Sequence, residues 1–189
     1  AHNLHEPLHS AYKPGHSVET ALTKVSSDIL MDIDNGKCSM LVLLDLSAAF
    51  DTIDHDVFLD RIKHDSGISG GPHEWLKSYF TDRVQSVNVY GQSSNKCKLP
   101  TGFPQGSRIG PFGFKKYTKP VTAIAKKHGV RIHLYADDTQ LYLAFDEKDI
   151  DTALSKMESC IDEIRLWMRC NFLKLNDSKT EFVIFYSKH

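Results

Sequence analysis

Twice in this chain an apolar run ends in carboxylates, and no other feature limits its folding so strongly. The first is Leu41-Val42-Leu43-Leu44-Asp45-Leu46, continuing through Ser47-Ala48-Ala49-Phe50-Asp51; the second is Leu134-Tyr135-Ala136-Asp137-Asp138-Thr139-Gln140-Leu141-Tyr142. A charge left unpaired beside a core is costly. Two carboxylates ~4 Å apart at an effective dielectric of about 20 repel by roughly 4 kcal/mol. Bound divalent cations relieve that repulsion. If the two strands are neighbours in one sheet, Asp45, Asp137 and Asp138 converge on a hard, oxygen-preferring ion such as Mg²⁺. Two such ions held together serve phosphoryl transfer.

At 189 residues the chain is expected to be one domain spanning 1–189. With 41% hydrophobic residues, 25% charged residues and a net charge of −1, it is composed like a globular protein rather than a disordered or membrane one. That charge lends no support to nucleic-acid binding, which must rest on clusters such as Lys115-Lys116 and Lys126-Lys127, each read here as a solvated helix face. Cys38, Cys97, Cys160 and Cys170 are far apart, with no C-x-x-C pair and no matching histidine spacing. Neither a zinc site nor a disulfide framework is expected, and a reducing intracellular setting fits best. His2, His5 and His9 could share a helix face, but histidines ahead of the Pro14-Gly15 turn are expected to be frayed and solvated. The longest apolar run, Met40 to Leu44, falls far short of the ~20 residues of a membrane helix, and no signal-peptide pattern opens the chain. No membrane role is expected. The chain stops at His189 just after an apolar strand, as a piece cut from something longer would.

Ser17 caps a run in which Val18, Ala21, Leu22, Val25 and Ile29 follow helical spacing, and Asn35-Gly36 ends it. The strand Met40 to Leu46 is so continuously apolar that cover on both faces is expected. Asp54 caps a helix carrying Val57, Phe58 and Ile62, and the Gly67 to Pro72 cluster separates it from another holding Trp75, Leu76, Tyr79 and Phe80. Val84 to Tyr90 and Lys96 to Leu99 read as a hairpin, and Pro100 to Pro111 as a loop. Val121, Ile124 and Ala125 share a helix face that Gly129 ends. Alternation in Val130-Ile132-Leu134 and in Leu141-Leu143-Phe145 predicts a second hairpin with the acids at its tip. Within a strand Asp137 and Asp138 would face opposite sides, so only a turn brings both to one site. Ile150, Ala153, Leu154, Met157, Ile161, Ile164 and Met168 form a helical stripe ending near Asn171, and Glu181 to Tyr186 is a final strand. That order predicts an α+β fold, an antiparallel sheet with helices packed on one face.

These motifs, taken in order, resemble the reverse transcriptases of non-LTR (LINE-like) retrotransposons over nearly the whole chain. Ser10 to Ser17 looks like that family's second fingers motif and Leu43 to His55 like its first palm motif. Phe103-Pro104-Gln105-Gly106-Ser107 with Gly110-Pro111 looks like its nucleotide-pocket loop, Tyr135 to Asp138 like its Y-x-D-D hairpin, and Leu173 to Asn176 with Lys179-Thr180 like its fourth palm motif. The resemblance implies a polymerase palm, with residues 1–36 as partial fingers and 37–189 as palm with finger insertions. It implies an RNA-directed DNA polymerase that uses two Mg²⁺ ions to extend a DNA primer on an RNA template with deoxynucleoside triphosphates. The other expected partners are the remaining parts of a retrotransposon polyprotein, its endonuclease and thumb, in a nuclear and cytoplasmic setting.

Carried over residue by residue, Asp45 and Asp137 are metal ligands and Asp138 the third carboxylate. Phe50 matches the family's steric gate against a 2′-hydroxyl, and Asp51 is read as a cap. Gln105 and Gly106 contact nucleotide or template. Lys13, where the family more often has Arg, meets triphosphate oxygens without a bidentate fork. Lys179 positions or protonates the leaving pyrophosphate, or is a solvated surface lysine. After Gly110-Pro111 the family continues as an apolar helix, whereas here Phe112-Gly113-Phe114-Lys115-Lys116 brings two lysines and a helix-weakening glycine. That departure keeps open an inactive remnant that retains the fold and at most weak nucleic-acid affinity. An unrelated Mg²⁺-dependent phosphohydrolase would explain the aspartates but not Lys13 to Ser17 or Phe103 to Ser107.

Overall fold

The structure, a computed structural model, describes residues 8–47, 49–104 and 106–186. The first helix, α1 (Val18–Asp34), begins where Ser17 and Thr20 cap each other: the Ser17 N–H donates to the Thr20 hydroxyl at 2.8 Å and the Thr20 N–H to the Ser17 hydroxyl at 3.3 Å. After the turn at Gly36 come β1 (Cys38–Leu44) and the short β2 (Leu46–Ser47). Two helices follow, α2 (His55–Ser66) and α3 (Gly71–Phe80). The Asp54 carboxylate caps α2, as its sequence position predicts, by accepting the Val57 N–H at 2.9 Å.

An exposed ribbon comes next. Its outer rung pairs β3 (Val84–Gln85) with β6 (Cys97–Lys98), and its inner rung pairs β4 (Asn88–Val89) with β5 (Gln92–Ser93) around Tyr90-Gly91, both at positive φ. Helices α4 (Ile109–Thr118) and α5 (Pro120–Lys127) lead into the hairpin of β7 (Arg131–Tyr135) and β8 (Asp138–Phe145). The long α6 (Ile150–Cys170), the short β9 (Lys174–Leu175) and β10 (Glu181–Phe185) complete the chain.

The main sheet is antiparallel in the order β10-β1-β8-β7. Side chains alternate across it. Met40, Val42 and Leu44 of β1, with Leu141 and Leu143 of β8, face the main core built by α2 to α6. On the opposite face Leu41, Tyr142 and Phe185 meet Val25, Ile29 and Ile33 of α1. The bulk of the helices therefore lies on one face, and α1 supplies the second cover that the continuous hydrophobicity of β1 requires. Two acids pin α1 in place. Asp28 pairs with Lys24 and accepts the Tyr142 hydroxyl at 2.6 Å, and Asp32 pairs with Arg131. Burial acts to raise the Asp28 carboxyl, but the bonds from Lys24 and Tyr142 outweigh it and hold it below its ordinary value.

The helix expected to weaken at Gly113 forms intact. A Cβ there would lie 2.3 Å from Cζ of Phe103, so the glycine answers a packing demand from the preceding loop. Lys116 is buried, its ammonium 5.9 Å from the Phe112 ring centroid, and Lys115 is half-buried. The solvated face expected for these lysines is overturned, while that of Lys126 and Lys127 holds. No helix among the described residues is long and apolar enough to cross a membrane.

Candidate active site

Asp45 occupies the break between β1 and β2. Pairing of β1 with β8 runs to Leu44 opposite Thr139, so Asp45 and Asp138 follow at the next step of the same antiparallel register. On its other side β2 pairs with β9, Leu46 opposite Leu175 and Ser47 opposite Lys174. That ladder delivers Asn176, whose backbone N–H donates to the Asp45 carbonyl at 2.9 Å and whose amide donates to Asp45 Oδ2 at 3.4 Å. A short 3₁₀ turn over Asp177–Lys179 then brings the Lys179 ammonium to 3.3 Å from the same oxygen.

The second pair of acids sits on the β7–β8 hairpin. Tyr135 pairs with Asp138, leaving Ala136 and Asp137 as a two-residue turn. Ala136 has φ +54° and Asp137 does not share the positive φ, which matches a turn class that normally places glycine first. Asp137 is thus in the turn and Asp138 begins the strand, the arrangement needed for consecutive acids to escape strict alternation. The Ala136 carbonyl accepts from Nε2 of His9 at 3.2 Å.

Burial raises the Asp138 carboxyl above its ordinary value, and the negative charges of Asp137 and Asp45 raise it further. The Tyr12 phenol is raised by burial and then by Asp137. Asp45 and Asp138 line one open cleft of about 450 Å³ with Gln140, Ser178, Lys179 and Glu181. Among the described residues no three His, Cys, Asp or Glu side chains are gathered closely enough to hold a metal ion. Asp45 and Asp137 are near enough to perturb Asp138, but the oxygens of the three do not converge. Their chemistry suits a hard divalent cation all the same: the donors are all oxygen, and the ammonium of Lys179 is the cation paired with Asp45.

Phe50 is half-buried, its ring stacked on Phe114 at 4.7 Å between centroids and 26° between planes. Gly106 has φ +77° and a Cβ there would meet nothing within 4 Å, so the backbone is open to approach. Gln105 lies outside the described residues, as do His2 and His5. Lys13 does not line the acidic cleft; it lines a separate cavity of about 180 Å³ with Arg108, Lys115, Lys116 and Lys119.

Two residues at the centre escaped the sequence reading. Asn176 carries no separate signal within the Leu173 to Asn176 motif beyond being a polar residue that closes a short apolar strand. His9, expected to be frayed and solvated, is 2% exposed. Its burial comes from pairing with a strand more than a hundred residues away, which local spacing does not reveal.

Residues 1–188 match the family described as reverse transcriptase (RNA-dependent DNA polymerase). The chain is 26% identical over 175 residues to the probable RNA-directed DNA polymerase from transposon BS of Drosophila melanogaster, covering 89% of this chain and 19% of that protein. It is 27% identical over 181 residues to the RNA-directed DNA polymerase from mobile element jockey of the same organism, covering 92% of this chain and again 19% of the relative. The telomerase of Candida tropicalis in complex with a TWJ fragment of telomeric RNA shares its fold, with a TM-score of 0.68 at 13% identity over 89% of this chain and 29% of that one. The mixed architecture agrees with a polymerase palm, and the transposon relatives agree with the resemblance drawn from the motifs. The chain belongs to the reverse transcriptase (RNA-dependent DNA polymerase) family.

Proposed function

We propose that this chain is the palm, with part of the fingers, of an RNA-directed DNA polymerase that extends a DNA primer on an RNA template with deoxynucleoside triphosphates by two-metal phosphoryl transfer. One observation carries the reading: Asp45 and Asp138 meet at the end of the β1–β8 ladder with Asp137 in the adjoining turn, and Asp138 holds its proton more tightly because of its burial and then because of the other two charges. Asp45, Asp137 and Asp138 would hold two Mg²⁺ ions, which when bound neutralise phosphate charge and make the primer hydroxyl easier to deprotonate.

The protein's own part is positioning. Asn176 and Lys179 fix the Asp45 carboxylate, and Lys179 is also the cation nearest the cleft for a leaving pyrophosphate. Phe50, braced by Phe114, is a stiff wall against a 2′-hydroxyl. Gly106 with Gln105 lets the backbone approach base or template, and Lys13 offers charge to phosphate oxygens. Working partners are the rest of a retrotransposon polyprotein, with its endonuclease and thumb, in the nucleus and cytoplasm.

The direct test is primer extension by the polymerase that carries this chain. Asp137→Asn should lower incorporation by at least about a hundredfold. Unchanged incorporation would overturn the assignment. Template binding with no Mg²⁺-dependent incorporation, fingers and thumb being present, would favour the inactive remnant.

A further inference from the structure

We propose that His9 is a positioning residue for the acidic turn, tying the Ala136 carbonyl, and with it Asp137 and Asp138, to the N-terminal segment that bridges to β7. Its functional meaning rests on the polymerase reading above. Leu8 to Ser10 runs parallel to β7: the Leu134 N–H donates to the Leu8 carbonyl at 2.8 Å and the Ser10 N–H to the Leu134 carbonyl at 2.9 Å. These bonds hold the backbone on either side of His9. A second side-chain link, between the Ser10 hydroxyl and Nε2 of His133 at 2.9 Å, fastens the same segment to β7 again.

From that anchored segment the His9 ring reaches the turn itself, with Nε2 at 3.2 Å from the Ala136 carbonyl. Because a carbonyl can only accept, Nε2 carries the proton. Burial, and then the nearby Lys115 charge, hold the ring's pKa down to about 4, so the imidazole is neutral and has one N–H to give. Nδ1 is then a bare acceptor, buried and without a partner among the described residues. An orphaned buried nitrogen is unfavourable, and a leucine would fill the same space without one. The reach of Nε2 to the carbonyl accounts for the imidazole.

The bond falls where the backbone needs support. Ala136 holds φ +54°, a region that side-chain-bearing residues rarely adopt. Relaxation of that torsion would rotate the next peptide and re-aim Asp137 relative to Asp138. The His9 bond opposes that rotation directly.

The test uses the 189-residue chain with Mn²⁺ as the probe, its affinity read by electron paramagnetic resonance, and amide hydrogen exchange as a second readout. Glutamine can place an amide N–H where Nε2 stands; asparagine is too short. His9→Gln should keep Mn²⁺ affinity within about twofold, whereas His9→Asn should weaken it about tenfold, the usual scale for an outer-shell partner. Exchange at the amides flanking the turn should quicken in His9→Asn while that of α6 stays unchanged, which a general loss of stability would not produce. Should His9→Asn fail to fold, His9→Leu, keeping volume without a donor, replaces it with the same expectation. Equal Mn²⁺ affinity in the wild type and in the variant lacking the donor overturns the inference. Asp137→Asn serves as the control. If it leaves Mn²⁺ binding unchanged, the carboxylate centre itself is misassigned and the polymerase reading fails first, taking the inference with it.

Discussion

Replacing Gly113 by alanine should destabilise this chain, although alanine is ordinarily preferred to an interior helical glycine by about 1 kcal/mol. A Cβ at that position would stand 2.3 Å from Cζ of Phe103, 2.8 Å from Cε1 and 3.0 Å from Cε2. Ordinary carbon contacts begin near ~3.5 Å, so the ring must retreat by about 1 Å. It has little room to do so. Phe103 is buried, edge-on to Phe58 with centroids 5.1 Å apart and tilted against Phe80 at 5.6 Å. Overpacking of a filled core costs about 1–3 kcal/mol, and a contact this short belongs at the upper end. Subtracting the helix preference leaves a net loss of about 2 kcal/mol, or a fall in Tm of roughly 4–8 °C for a chain of this size. Urea denaturation should show a lower midpoint with an unchanged slope. In a Phe103→Leu background the shorter side chain leaves space, and the same glycine-to-alanine change should then stabilise by about 1 kcal/mol. A rise in Tm for Gly113→Ala alone would refute the packing explanation.

Two further outcomes follow from the core and its buried histidines. Arg61 donates to the Tyr117 carbonyl and to Asn171 Oδ1 at 2.6 Å, with its guanidinium 4.8 Å from the Tyr117 ring centroid and 5.3 Å from that of Trp167; Arg61→Lys, lacking the planar fork, should cost about 2 kcal/mol in urea denaturation, and a neutral result would remove this cross-link from the account. His9 is held down from 6.5 to about 4, so between those values the unfolded chain binds more protons than the folded one, and stability should fall as pH is lowered through that window by on the order of 3 kcal/mol. His133, also lowered by burial, acts in the same direction. Thermal melts from pH 7 to pH 4 should show a shallower slope in His9→Gln; an equal slope would mean that His9 does not set the acid limit.

Much of the architecture was legible because it depends on local periodicity. The capping box at Ser17, the apolar β1, the acid-tipped hairpin and the α6 stripe ending at Asn171 all follow from patterns within one or a few turns or rungs of the chain. The assembly of the acidic centre does not. Asp45 and Asp138 meet through strand register, and Asn176 and Lys179 arrive through the two-rung β2–β9 ladder, whose residues are too few to carry a pattern. Burial imposed from afar was equally hidden. His9 was expected in solvent and is covered by β7 and the Ala136 turn; Lys116 was expected on an open face and lies buried over Phe112. Gly113 read as a weak point of a helix because its reason is a ring ten residues earlier in the chain.

Because β1 lies inside the sheet between β8 and β10, both of its neighbours come from the later part of the chain. During synthesis Met40 to Leu44 therefore emerges from the ribosome with both hydrogen-bonding edges vacant and stays so until the segment from Asp138 onward has been made. Contacts so distant along the polypeptide are slow to form, and an apolar strand waiting with open edges is a ready template for pairing between chains. Folding of this protein is thus exposed to aggregation early and relieved late, when the β8 hairpin arrives.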